Sequence, residues 1–90
     1  MGHYNAAIAD YTKAIQLNPN EAIVYNNRGV SYAKLEDYSK AITDYNKAIE
    51  INPKYADAYN NRGNAYLYLK DYKRAIEGYN KAISINLNCA

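Results

Sequence analysis

Tyr11-Thr12-Lys13-Ala14-Ile15 returns as Tyr45-Asn46-Lys47-Ala48-Ile49 and again as Tyr79-Asn80-Lys81-Ala82-Ile83, each time 34 residues further along the chain. Asn26-Asn27-Arg28-Gly29 returns as Asn60-Asn61-Arg62-Gly63, and Asn18-Pro19 as Asn52-Pro53, at the same step. Laid over one another, 22–55 and 56–89 agree at 19 of 34 positions. A fixed step of this length marks a stack of supersecondary units, each too small to bury its own apolar face. The 90-residue chain therefore holds two whole copies of one unit, preceded by a half copy.

Each unit reads as two helices. Tyr25, Arg28, Gly29, Tyr32 and Leu35 fall at i, i+3, i+4 and i+7, one helical face. Tyr38, Ala41, Ile42, Tyr45, Ala48 and Ile49 repeat that spacing. Leu35-Glu36-Asp37 makes a short turn between them, and Asp37 is placed to cap the second helix. Asn52-Pro53 stops that helix, since proline supplies no N–H for its continuation. The expected helices are 3–17, 22–35, 38–51, 56–69 and 72–86. Leu87 stands where residues 19 and 53 are proline, so the last helix is expected to fray or to run on. Gly29 and Gly63 are read as points of close helix approach, with Tyr45 and Tyr79 filling the space around them. Glycine inside a helix costs about 1 kcal/mol relative to alanine, so close packing must outweigh that penalty.

This 34-residue unit, with Tyr25, Gly29 and Tyr32 on one helix, Ala41, Tyr45 and Ala48 on the next and Pro53 after it, resembles the tetratricopeptide repeat family. The resemblance covers essentially the whole chain. The RNA-reading pentatricopeptide repeats have a longer period and a different pattern. The resemblance implies an all-α fold, an α-solenoid of antiparallel helix-turn-helix repeats with five helices. Residues 1–90 would form a single array: a partial repeat over 3–21 and full repeats over 22–55 and 56–89. In such arrays the first helix of each repeat lines a concave groove for partner peptides. The implied groove positions are Ile23, Asn26, Asn27, Val30, Ala33 and Lys34, then Asp57, Asn60, Asn61, Asn64, Leu67 and Tyr68. The core of the expected peptide-binding set is Asn26, Asn27, Val30, Lys34, Asn60, Asn61, Asn64 and Tyr68. Asparagine is a weak helix former because its amide competes for backbone hydrogen bonds. An Asn amide both donates and accepts, so it suits the backbone of an extended peptide; inherited solvated asparagines are the alternative reading. The family turn usually carries glycine where this chain has Glu36 and Lys70; if that turn is left-handed, each costs about 1 kcal/mol.

Some family members hold the acidic C-termini of chaperones in a two-carboxylate clamp built from Lys and Arg. Here Asn26 or Asp57, and Asn61, occupy the positions where the basic residues should be. That reading is therefore set aside. Arg28 and Arg62 stand where the family prefers Leu; each stem is expected to pack between helices while its head reaches a carboxylate or the carbonyls at a helix end.

Composition narrows function. Eleven Lys+Arg against nine Asp+Glu give a net charge of +2, too even for a dedicated polyanion binder. Lys13, Lys47 and Lys81 form a ladder, but Asp10, Asp44 and Glu77 lie one turn before them, at spacings that allow intrahelical pairs. Nucleic acid is not expected as a partner, and an RNA-binding helical repeat is the weakest reading. His3 is the sole histidine, and Cys89 the sole cysteine; no residues show metal-ligand spacing, a phosphate loop or a catalytic pair, so neither an enzyme nor a cofactor is expected. No intramolecular disulfide can form, which is compatible with a reducing, cytoplasmic location. Apolar runs are too short for a membrane span.

The leading expectation is a non-catalytic adaptor that binds a protein or peptide segment in its groove. The alternative is a homo-oligomer, such as a dimer, formed through uncapped terminal helices: Tyr4, Ile8 and Tyr11 at one end, Ile76, Tyr79 and Ile83 at the other. The half repeat at the start and the uncapped end further suggest a longer parent protein.

Overall fold

The computed structural model describes the backbone of residues 3–88 and the side chains as far as Leu87. Cys89 lies outside the described residues. Five α-helices follow one another: α1 (His3–Leu17), α2 (Ala22–Lys34), α3 (Tyr38–Ile51), α4 (Ala56–Tyr68) and α5 (Tyr72–Asn88). Among the described residues there is no strand. The all-α solenoid is as expected. The closest packing is within the hairpins α2–α3 and α4–α5; α1 lies on α2, α3 on α4, and α2 meets α4 along a narrow seam.

Both tight turns are built identically. Leu35 caps α2, and Glu36 enters the left-handed region at φ 62°. Its N–H bonds to the carbonyl of Ala33, and that of Asp37 to Tyr32, both at 2.9 Å. These are the paired bonds of a Schellman ending. Lys70, at φ 63°, repeats the arrangement: its N–H reaches Leu67 and that of Asp71 reaches Tyr66. The expectation about Glu36 and Lys70 holds, and the left-handed residue explains why α2 and α4 each end one residue earlier than 35 and 69. The carboxylates of Asp37 and Asp71 then accept from the N–H groups of Lys40 and Arg74, capping α3 and α5.

The wider turns depend on Asn-Pro. The side-chain oxygen of Asn52 accepts from the N–H of Lys54, as that of Asn18 does from Asn20. Ahead of a proline, Asn52 is extended (φ −130°, ψ 92°). With Leu87 in the proline position, α5 runs on through Asn88.

The core lies between the hairpins. Tyr25, Ala48 and Ala58 form one cluster, flanked by Ile15, Ile49 and Ile51; Ala41, Tyr45 and Ala65 form the other, flanked by Val30 and Ile42. Small residues let the helices close. A Cβ on Gly29 would sit 2.6 Å from the Tyr45 ring and 3.1 Å from the Ala41 carbonyl oxygen. On Gly63 it would meet the Tyr79 ring at 2.9 Å. Glycine is required here for approach, not for backbone conformation.

Candidate functional site

Three residues of α2, Val30, Ala33 and Lys34, face four of α4, Asn61, Asn64, Leu67 and Tyr68, across a recess of about 560 Å³. Ala65 and Tyr45 close its floor. Tyr45 is 2% exposed; burial, and then the neighbouring Asp44 carboxylate, push its phenol up to about 12. At one end of the recess Tyr38 stacks on Tyr68, rings 5.1 Å apart and 5° from parallel. Burial, followed by the Glu36 charge and Tyr68, raises the Tyr38 phenol. Glu36 and Lys34 put one charge of each sign on the rim.

Two asparagines supply the polar chemistry. The amide nitrogen of Asn61 donates to the side-chain oxygen of Asn26 at 3.1 Å, which leaves the Asn61 oxygen as an acceptor. The side-chain oxygen of Asn64 accepts from the Tyr79 hydroxyl, which leaves its NH₂ as a donor. Three residues apart on one face of α4, they offer the complementary pair that a peptide group needs.

The structure thus gathers Val30, Lys34, Asn61, Asn64 and Tyr68 at one place. The other three members of the expected set are elsewhere. Asn26 is 5% exposed and serves as a hydrogen-bonded bridge between α2 and α4, a correction to its reading as a groove-surface residue. The physical reason is that α4 packs over it. Asn27 is half-buried and does not line the recess. Asn60 lies in a separate recess of about 320 Å³ with Asp57, Tyr79 and Ile83. Sequence reasoning missed Tyr38 and Glu36 as groove residues. The signal was present: a two-residue turn after α2 must bring the start of α3 beside Lys34.

The expected self-association surfaces are uneven. Ile76 and Ile83 are 57% and 55% exposed. Tyr4, Ile8, Tyr11 and Tyr79 are half-buried, because α1 packs on α2 and α5 on α4. The Arg28 expectation is met. Its guanidinium grips Asp44 through two bonds of 2.8 Å and donates to Thr12 at 3.1 Å; the Asp44 hydrogen bond, opposed by burial, raises the Arg28 pKa. Asp44 is therefore unavailable to Lys47, which pairs instead with Glu50 at 2.9 Å. Arg62 reaches no carboxylate among the described residues and donates to Asn46 at 2.7 Å. No group of His, Cys, Asp and Glu able to hold a metal ion occurs among the described residues. Among the described residues no helix is long and apolar enough to cross a membrane.

The model of the tetratricopeptide repeat matches residues 22–55 and 56–89, and a second TPR repeat model matches 1–36. The chain belongs to the tetratricopeptide repeat family. Among curated relatives it is similar to Hsp70-Hsp90 organizing protein 3 of Arabidopsis thaliana, 49% identical over 37 residues, which are 41% of this chain and 7% of that protein. The chain spans a small part of the length of the curated relatives it matches. Among solved structures it resembles the second TPR of Spaghetti (RPAP3) bound to the HSP90 peptide SRMEEVD, with a TM-score of 0.90 and 28% identity over 93% of this chain and 78% of that one. It also resembles the TPR2B domain of yeast Sti1 in its complex with pHsp70, with a TM-score of 0.92 and 34% identity over 94% and 68%.

Proposed function

We propose that this chain is a non-catalytic interaction module that holds an extended segment of a partner protein in the recess between α2 and α4. The observation that carries the reading is the pairing of the Asn61 acceptor and the Asn64 donor above an apolar floor, beside the Tyr38–Tyr68 stack. The two tetratricopeptide structures compared above, with HSP90 peptide and pHsp70, support a peptide-binding role for this fold. The partner chemistry differs from that of an acidic tail. Lys34 is the single cation in the lining and Glu36 opposes it, whereas two desolvated carboxylates need a cation each. The segment favoured here is near neutral, with one apolar or aromatic side chain over Ala65 and Leu67. The proposal includes a reducing, cytoplasmic setting, in keeping with a single cysteine in 90 residues.

The test is calorimetric titration of a peptide selected on the chain, repeated with Asn61→Ala/Asn64→Ala. Each hydrogen bond contributes about 0.5–1.5 kcal/mol, so the double variant should bind roughly 5- to 150-fold more weakly. Undiminished affinity would remove the asparagines from the mechanism.

A second reading, association with another copy, is favoured by the exposure of Ile76 and Ile83 on α5. Light scattering over a concentration series checks it; a monodisperse monomer at high concentration rejects it.

A further inference from the structure

Among the described residues, the two full repeats differ at two positions buried in both, Ser31/Ala65 and Asp44/Gly78, and only the second pair changes the charge. In the first repeat, Arg28 lies near the Tyr25 and Tyr32 rings and is neutralised by Asp44. In the second, Arg62 lies 5.3 Å from the centre of the Tyr59 ring, and Asn46 takes the place of Thr12, 34 residues earlier, as its uncharged partner. The position equivalent to Asp44 is Gly78, however. The guanidinium and its aromatic support are retained, and the carboxylate is gone. What remains is a recess of about 400 Å³ walled by Tyr59, Tyr66, Arg74 and Lys81, with Arg62, Glu77 and Gly78 also in its lining. Arg74 already pairs with Asp71 at 3.0 Å. Arg62 and Lys81 have no carboxylate within 4.0 Å among the described residues. Tyr59, Arg62 and Tyr66 lie on the side of α4 opposite Asn61, Asn64 and Tyr68, so this recess is separate from the peptide groove.

We propose that the Arg62–Gly78 recess is a second binding site, which accepts an Asp or Glu side chain of a partner protein in the place that Asp44 fills within the first repeat. Three features argue for that occupant. The Arg28–Asp44 pair shows a carboxylate gripped by the equivalent arginine through two 2.8 Å bonds. A guanidinium fork matches the paired oxygens of a carboxylate or a phosphate; the group it holds in the first repeat is a carboxylate. With Arg74 already paired to Asp71, Arg62 and Lys81 stand against Glu77 in the lining, a net positive charge that favours an anion. Gly78 itself is buried against α4, where a Cβ would meet the Tyr59 carbonyl oxygen at 3.1 Å and the Gly63 Cα at 3.3 Å; what its bare backbone removes is the carboxylate, not a barrier.

The experiment is a two-dimensional NMR titration of the 90-residue chain with an N-acetylated, C-amidated peptide carrying one Asp, and with its Asn counterpart. The Gly78 amide and the Arg62 side-chain N–H should shift with the Asp peptide, and at least fivefold less with the Asn peptide. Gly78→Asp installs the internal carboxylate and should abolish the response, and Arg62→Gln should remove it. Because a Cβ at 78 meets the Tyr59 carbonyl oxygen at 3.1 Å, unchanged amide shifts elsewhere in α4 and α5 must accompany the loss in Gly78→Asp. The converse variant, Asp44→Gly, should create a second responsive site at Arg28. An equal response to the Asn peptide, an unchanged response in Gly78→Asp, or an equal response to inorganic phosphate would overturn the assignment. Because the readout is local to Gly78 and Arg62, its outcome is independent of whether the α2–α4 groove binds peptide.

Discussion

The first full repeat and the second share 19 of 34 residues, yet the same residue does different work in each. Asn26 is buried and accepts from Asn61 of the next repeat; Asn60, its equivalent, is exposed. Tyr25 and Tyr45 are buried, while Tyr59 and Tyr79 are half-buried. Arg28 is neutralised inside the fold, while Arg62 is not. The asparagine and tyrosine differences share one cause, that α4 covers the first repeat and no described helix covers the second; the arginine difference follows from Gly78 in place of Asp44. In a repeat array the role of a side chain is therefore set by its neighbour as much as by its own unit.

Substitutions made in pairs, one in each repeat, test that contrast. The largest effect should come from Arg28→Met. It strands the Asp44 carboxylate, 3% exposed, and breaking a buried pair from one side costs about 3–5 kcal/mol. Arg62→Met loses only a hydrogen bond at the surface, about 1 kcal/mol or less. Chemical denaturation should show this gap; equal losses would mean that Asp44 is not the decisive partner.

Next comes alkaline pH. The Tyr45 phenol stays neutral in the fold up to about pH 12, whereas in the unfolded chain it ionises near pH 10. The unfolded state loses its proton first, so this contribution is intact below pH 10 and declines as pH rises towards 12. The amount is about 2–3 kcal/mol, and Tyr45→Phe should flatten that part of the stability profile. An unaltered slope would place the ring in a wetter setting than the one described.

Smaller still is the contrast between the asparagines. Asn26→Ala should cost about 1–2 kcal/mol through the lost Asn61 bond, and Asn60→Ala less than about 0.5 kcal/mol. Thermal melts of the two variants separate them, and a reversed order would undo the argument from coverage. The smallest change should be a gain. Glu36→Gly and Lys70→Gly relieve left-handed residues in both repeats and should each stabilise by about 0.5–1 kcal/mol; a loss at either would show that its side chain makes a contact worth more than the strain.

Much of this was legible in the sequence. The 34-residue step fixed the helix pairs; Asp37, Pro53, Glu36 and Lys70 each marked a helix end for a reason visible in the residue itself, and Leu87 in place of proline marked where the last helix runs on. The groove was legible in part: Val30, Lys34, Asn61, Asn64 and Tyr68 do converge. Asn26 was misplaced because helical spacing assigns a face but not what packs over it. The Arg28–Asp44 pair links residues 16 apart on two helices, and the intrahelical spacing of Asp44 and Lys47 offered a nearer but incorrect partner. The spacing of Tyr38 places it on one helical face with Ala41, Ile42 and Tyr45; the stack on Tyr68 depends on how the second hairpin settles against the first.

The central claim, a groove for a near-neutral extended segment, is tested most directly by unbiased selection of seven-residue peptides on the 90-residue chain, with SRMEEVD as competitor. The account predicts enrichment of uncharged sequences bearing an apolar or aromatic residue, displaced by none of the acidic peptide at physiological salt. Enrichment of acidic C-termini, or tight and salt-sensitive binding of SRMEEVD in the recess between α2 and α4, would contradict it.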